Sequence, residues 1–517
     1  MRSRTFPTLV LGLATSVAGV SMPSPAGAGP TRGGLVAAGN WVLDSPTGAV
    51  GRFGTAIAAG DWNGDGRNDL AVGAPTESSG GKVHFYFGTA AGLTLVDTFG
   101  YGSPASAGEA LAAGDFDHDG DDEIVVAAPA MSAGGFTGAG RVDVYAWDAG
   151  SQIFVLHRTL YQGLDLIGET PEVNDGFGSA LAVGDFNGDT YDDLAVGVPS
   201  EDLGTTGTNQ GVVQVFYGFS TGLLFAGSQV WSQESTGVLG SAATGDRFGY
   251  SLAAGDFDRD GRDDLAIGVP GEASANVPGS GAVAVLYGMA NLGLAAGGNQ
   301  LWWEGDSGVP GSPVLNDNFG ISLAAGDFDL SGRSDLAIGS SAEIAGVTHA
   351  GSVTVLQGAA AGLSATGSQL LVPTSVGQPL HANGNWGYRL AVGDFDASRH
   401  VDLAIGSPLE TVTGLTAAGT VDVLQGSSNG LQASVRTHWV ATGLASGPAE
   451  QSAFFGWGLC AVDLDGDRDQ ELVVGIPLRT VDAVSQVGQV QILNGDSTIL
   501  SDDLEAGSFF GWSAALP

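Results

Sequence analysis

The sequence holds one cysteine, Cys460, in 517 residues. No intrachain disulfide can staple this fold, so a chain bound for an oxidising compartment would need stability from another source. Basic side chains are scarce as well, with 17 Lys and Arg against 56 Asp and Glu and a formal charge of −39. A field of that sign repels phosphate backbones and anionic lipid surfaces, which argues against nucleic acid or an anionic membrane surface as partner. Beyond the N-terminal segment, no apolar run approaches the roughly 20 residues of a membrane-spanning helix. No segment shows convincing helical periodicity.

Glycine is abundant: 86 residues, without a Gly-X-Y period, in a chain that is 43% hydrophobic. That combination describes many turns around a substantial core rather than collagen or a disordered acidic tail. The chain begins as a secretory leader does. Arg2 and Arg4 precede the apolar run "TLVLGLATSVAGV" and the small residues Ala26-Gly27-Ala28, so residues 1–28 are expected to be removed and a short segment, 29–39, to lead into the folded part. The apolar run is too short for a membrane anchor. The expected location is the medium or the cell surface, with no membrane insertion after cleavage.

The dominant signal is an internal repeat. The stretch "GDFDRDGRDDLAIGVP" from Gly255 recurs from Gly60, Gly114, Gly184, Gly326, Gly393 and Val462, with first acidic residues Asp61, Asp115, Asp185, Asp256, Asp327, Asp394 and Asp463. The unit repeats about every 70 residues after a first interval of 54. Eight residues before the first aspartate stands an aromatic-Gly pair in six copies (Phe53-Gly54, Phe177-Gly178, Phe248-Gly249, Phe319-Gly320, Trp386-Gly387, Phe455-Gly456), with Ala107-Gly108 in the second. A short strand leads into each acidic loop, a second strand leaves it, and a variable Gly-rich loop, a third strand such as "GAVAVLYG" and a weaker fourth strand follow. Four antiparallel strands in each of seven units predict an all-β, seven-bladed β-propeller over residues 40–517. Ring closure has two candidate strands, one in "GNWVLDSPTGAVGRFG" before the first unit and one in the C-terminal "SFFGWSAALP"; a degenerate eighth blade is short of sequence.

The Phe-Gly pair, the acidic loop and a Gly-Ala-Pro box or near match resemble the FG-GAP repeat, as in the N-terminal propeller of integrin alpha subunits. The resemblance covers residues 40–517. It implies a binding or adhesion module whose protein or glycan ligands meet the face opposite the acidic loops. It leaves the ligand open, because related propellers serve as adhesion modules, lectins and non-catalytic parts of enzymes. The leg domains, transmembrane helix and cytoplasmic tail of integrins are not expected in this chain.

Oxygen side chains at loop positions 1, 3, 5 and 9, with Gly at 6 for a sharp turn, suit a hard cation bound by six to eight oxygens. Position 12 falls inside a strand, at Ile267 in the fourth copy, which rules out an EF-hand. The resemblance implies calcium, with side chains from positions 1, 3, 5 and 9 and a backbone carbonyl from position 7. The implied ligand sets are Asp61, Asn63, Asp65 and Asp69; Asp115, Asp117, Asp119 and Glu123; Asp185, Asn187, Asp189 and Asp193; and Asp256, Asp258, Asp260 and Asp264. The remaining sets are Asp327, Asp329, Ser331 and Asp335; Asp394, Asp396, Ser398 and Asp402; and Asp463, Asp465, Asp467 and Glu471. Thr190, Arg399 and Arg468 replace the position-6 glycine, and the sixth copy, which also carries Ser398, fits the pattern least. Turn formation alone would need one or two such residues per loop, whereas 24 of the 56 acids fall in these positions. Several structural calcium ions, up to seven, are therefore expected to replace disulfides as the source of stability.

Other motifs carry less. "GFSTG" (218–222) and "GSSNG" (426–430) match a serine-hydrolase elbow but lie between two strands, where no helix can follow. The histidines show no zinc spacing and are expected on the surface. Cys460 occupies a position held by alanine in the other units, and Trp231, Trp302, Trp303 and Trp439 are expected to pack between blades. Glu77, Glu201, Glu272, Glu343 and Glu410 would ring one face, where turn hydrogen bonding is favoured over a cationic ligand. No singular set of polar and basic residues for a cleft emerges, so no catalytic activity is expected; the alternatives are a polysaccharide-cleaving propeller and a purely structural surface protein. Oligomeric state is not legible.

Overall fold

The computed structural model describes residues 41–494 apart from 90–91, 103–104, 164–169, 205–206, 442–447 and 467–468. The expected leader, the segment 29–39, "SFFGWSAALP" and Asp467 lie outside the described residues. Seven four-stranded antiparallel sheets make up the fold, and the only helical elements among the described residues are three short 3-10 turns. The all-β, seven-bladed propeller expected from the repeat is the structure.

Blade 4 shows the plan. Leu252–Gly255 is its innermost strand, followed by Asp264–Val269, Ala282–Met289 and the outermost Gly293–Trp302. The acidic loop joins the first two strands, with Gly255 paired to Asp264 at the point where the chain turns. Six of the blades are continuous in sequence, but blade 7 is not. Its inner three strands are Leu459–Val462, Glu471–Ile476 and Gln489–Leu493, and its outermost strand is Trp41–Asp44 from the other end of the chain. Trp41 faces Ile492 and Asp44 faces Gln489 in register, while the Gln491 side chain donates to Trp41 O at 2.9 Å and Gln489 donates to Asp44 at 2.7 Å. The N-terminal candidate strand thus closes the ring and covers an edge that would otherwise be exposed.

The core is divided among seven apolar clusters, each lying between neighbouring blades. The second strand of every blade is buried along its whole length, so its side chains serve the clusters on both faces. Leu265 and Ile267 pack toward blade 3, and Ala266 packs toward blade 5. The aromatic of each Phe-Gly pair fills the same interface and is fully buried at Phe53, Phe177, Phe248, Phe319 and Phe455.

The glycines of the two boxes meet across that interface. A Cβ on Gly268 would lie 2.2 Å from Gly320 O of the next blade, and one on Gly475 would lie 1.9 Å from Gly54 O, where blade 7 meets blade 1. Phe-Gly and Gly-Ala-Pro therefore recur together because backbone touches backbone between blades. Cys460 holds the alanine register, opposite Val473 as Ala253 is opposite Ala266. The two Gly-x-Ser-x-Gly stretches are connections between strands, as expected.

Candidate metal centres

Position 9 is the deepest part of each acidic loop. As the first residue of the second strand it is buried in all seven blades, with Asp264 at 0% exposure. In blade 4 its Oδ2 accepts the backbone N–H of Phe257 at 3.0 Å, and its Oδ1 accepts that of Gly288, at the end of the third strand, at 2.9 Å. The arrangement recurs at Asp69, Asp193, Asp335 and Asp402. One carboxylate thus ties the loop to the sheet, while the position-2 aromatic, Phe257 here, plugs the interblade core.

Burial has an electrostatic consequence. Desolvation pushes the carboxyls of Asp69, Asp264 and Asp335 up to about 7 and those of Glu123, Asp193 and Asp402 up to about 8, against the opposing pull of backbone N–H donors. Neighbouring loop carboxylates push in the same direction.

Position 1 accepts from the turn itself. Asp256 takes the N–H of Asp260 at 3.1 Å and that of Gly261 at 3.0 Å, and the same pair of bonds forms at Asp61, Asp115, Asp185, Asp327 and Asp394. Turn hydrogen bonding is therefore real, but it does not use every oxygen. At position 3, Asp117 Oδ1, Asn187 Oδ1 and Asp258 Oδ1 are buried without a hydrogen-bond partner. Ligand atoms of Asp115, Asp117 and Asp119 lie within 4.8 Å of one another, as do those of Asp256, Asp258 and Asp260, of Asp327, Asp329 and Asp335, and of Asp394, Asp396 and Asp402. Two oxygens on opposite sides of a calcium ion stand about 4.6 to 5.2 Å apart, so the donor sets fit a hard cation.

Details differ from loop to loop. The sixth loop, which fits the pattern least in sequence, gathers three carboxylates as the fifth does. Its Arg399 takes the left-handed conformation of the missing glycine, with φ 75°, and Thr190 does likewise at 77°. In the fourth loop Arg262 pairs with Asp260. In the first, the amide of Asn63 donates to Asp69 at 3.2 Å. His157, from the outermost strand of blade 2, joins Asp117 and Glu123, a nitrogen neighbour that calcium does not favour.

Two features escape a reading of the loop as an isolated motif. Position 8 links successive loops: Asp122, Asp192 and Asp263 accept the backbone N–H of Asp61, Asp115 and Asp185 in the preceding blade at 2.9 to 3.1 Å, and Gln470 does the same for Asp394. Position 4 needs positive φ in every copy, including His118, Arg259, Leu330 and Ala397. Comparing the same position across units would have exposed the first, since acids or amides recur at position 8.

The expectation of surface histidines needs correction at His84, which is fully buried with Nε2 3.1 Å from Glu77 and Nδ1 3.0 Å from Thr98. Glu77 also takes the Lys82 ammonium at 2.7 Å. Glu201 and Glu272 accept from Gln162 and Gln233 of the preceding blade. These glutamates form interblade hydrogen bonds, and Glu77 and Glu201 are buried.

The FG-GAP repeat family matches residues 53–86, 107–145, 177–216, 248–286, 319–356 and 455–493, which is every blade except the sixth. Among curated relatives, phosphatidylinositol-glycan-specific phospholipase D of Mus musculus is 30% identical over 449 residues, covering 80% of this chain and 48% of the relative. The Homo sapiens protein of the same name is 28% identical over 77% of this chain and 47% of its own length. Integrin alpha-PS2 of Drosophila melanogaster is 28% identical over 46% of this chain and 16% of its own. The chain spans about half the length of the two phospholipase relatives. The expectation that it has no enzymatic role is thereby overturned, because relatives aligned over most of it are named as an enzyme. Six blades of the seven-bladed ring thus carry matches to the FG-GAP repeat, and integrin alpha chains are among the chain's homologues.

Proposed function

We propose that this chain is a calcium-binding propeller, exported to the medium or cell surface, which serves as the ligand-binding part of a protein acting on phosphatidylinositol-glycan. The calcium reading rests on one observation above all: position-3 oxygens in three loops are buried, unpartnered and set among further carboxylates. An unpaired buried acceptor is costly, and a cation at the centre of the loop satisfies it. Positions 1, 3, 5 and 9 supply the side chains, and the ions hold each loop against the end of its sheet. Export is supported by the leader pattern in residues 1–28. The phosphatidylinositol-glycan reading is supported by relatives aligned over about four fifths of the chain.

Integrin alpha relatives favour a second reading, adhesion to a protein ligand on the face opposite the acidic loops. One experiment addresses both. The purified chain is titrated with calcium by calorimetry, then incubated with a phosphatidylinositol-glycan-anchored protein in vesicles, and capture and release of the anchored protein are followed. Several ions per chain with capture or release support the first reading. Ion binding without either, together with adhesion to matrix proteins, supports the second. No ion binding overturns the calcium assignment.

A further inference from the structure

The face opposite the acidic loops contains a funnel of about 740 Å³, the mouth of the central channel, lined by the residues flanking each Phe-Gly pair. Its charge is opposite to that of the protein. Arg52, Arg247 and Arg389 line it, and Glu109 is the only acid there, in a chain of net charge −39. None of the three arginines makes an ion pair among the described residues.

The setting of Arg389 is singular rather than repeated. Arg389 stands where the other blades carry Ala56, Ala110, Ala180, Ser251, Ser322 and Gly458. Its guanidinium lies 4.6 Å from the ring centroid of Tyr388 and 4.7 Å from that of Trp457, and Phe454 stacks on Trp457 at 5.5 Å. Its Nε and Nη1 donate to the carbonyls of Trp457 and Tyr388 at 3.1 and 3.2 Å. The cation is held in place by rings and carbonyls, not by an acid.

Arg52 and Arg247 share a second peculiarity. Both occupy the position before Phe-Gly, where the backbone is left-handed, with φ of 58° and 60°. The repeat demands that conformation in every blade: Gly176, Asn318 and Asn385 adopt it at low cost, and Ser106 and Phe454 adopt it as well. Arginine there is less favourable than glycine or asparagine by roughly 1 kcal/mol or more, and both arginines are exposed.

We infer that this funnel binds an anionic sugar, a ring of inositol or hexose type carrying a phosphate, with the arginines on the charged group and Tyr388 against the ring. Guanidinium pairs bidentately with phosphate and carboxylate, and flat aromatic faces suit an apolar sugar face. The volume falls in the range of small-molecule sites. This inference deepens the first reading above by naming a site for its ligand, and it rests on that reading for the choice of an inositol-type phosphorylated ring.

The test uses the calcium-loaded full chain and calorimetric titration with myo-inositol 1-phosphate, glucuronate, inorganic phosphate and uncharged myo-inositol. The phosphorylated ring is expected to bind more tightly than inorganic phosphate or inositol. Arg247→Asn and Arg389→Gln are each expected to weaken it at least tenfold. Arg247→Asn suits the left-handed backbone, so its melting temperature should hold or rise while binding is lost, which a merely structural arginine would not give. Equally tight binding of glucuronate supports the anionic-sugar site and assigns carboxylate as its charge. No binding of either charged sugar to a folded, calcium-loaded chain overturns the inference and leaves the calcium reading intact. Undiminished binding by the Arg52→Asn/Arg247→Asn double variant also overturns it.

Discussion

The buried position-9 carboxylates give the metal-free protein a pH dependence opposite to the usual one. In Asp264 the carboxyl is fully buried and pushed from 3.8 up to about 7, so between about pH 4 and 7 the folded chain holds a proton that the unfolded chain has released. Stability from that group is complete below the unfolded value and is lost as pH rises through the folded one. At 1.36 kcal/mol per pH unit the loss is on the order of 4 kcal/mol for one loop, as an upper limit. Asp69, Glu123, Asp193, Asp335 and Asp402 behave alike, with values of about 7 or 8. Losses of the same sign at six loops should leave the metal-free chain clearly less stable at pH 8 than at pH 5. Calcium reverses the sign, because it requires the deprotonated carboxylates and binds only the folded loops. The assay is thermal unfolding from pH 5 to 8 in metal-free buffer and in calcium. The metal-free melting temperature should fall with pH, and the calcium-loaded one should hold or rise. A metal-free chain at least as stable at pH 8 as at pH 5, or a chain indifferent to calcium at pH 8, would refute the reasoning.

Other consequences are separable. Asp258→Ala removes one unpartnered oxygen and should lower the calorimetric calcium count by one while leaving the other loops filled. Gly268→Ala places a methyl 2.2 Å from Gly320 O and should cost about 3 kcal/mol by overpacking, read as a lower denaturant midpoint; an unchanged midpoint would show that the blades can separate freely. Deleting residues 1–44 removes the outer strand of blade 7 and bares the edge of Gln489–Leu493, so size-exclusion chromatography should show self-association. Leu330→Gly relieves a left-handed leucine with φ 59° and should raise stability by about 0.5–1 kcal/mol, seen as a small rise in melting temperature.

The acidic loops were legible because each is local: nine consecutive residues carry the carboxylates, the turn glycine and the plug, and the strand pairing from Gly255 to Asp264 brings their ends together. His84 was misread because its environment is made by Glu77 and Thr98, which lie on other strands and loops of its blade. The position-8 links were invisible for a related reason. Asp122 meets Asp61 only when two blades stand side by side.

By itself the sequence determined the number of blades, the strand order within each, the place of the acidic loop between the first two strands and the recurrence of the two glycine boxes. These follow from short-range periodicity and turn chemistry repeated seven times, a signal that averaging over copies strengthens. Only the tertiary structure decided how the ring closes, since Trp41 and Ile492 are brought together by the sum of seven blade rotations. It alone gathered Arg52, Arg247 and Arg389 from three blades into one funnel. Arg52 and Arg247 hold one repeat position and Arg389 another, and what brings the three together is the axis around which the blades are arranged.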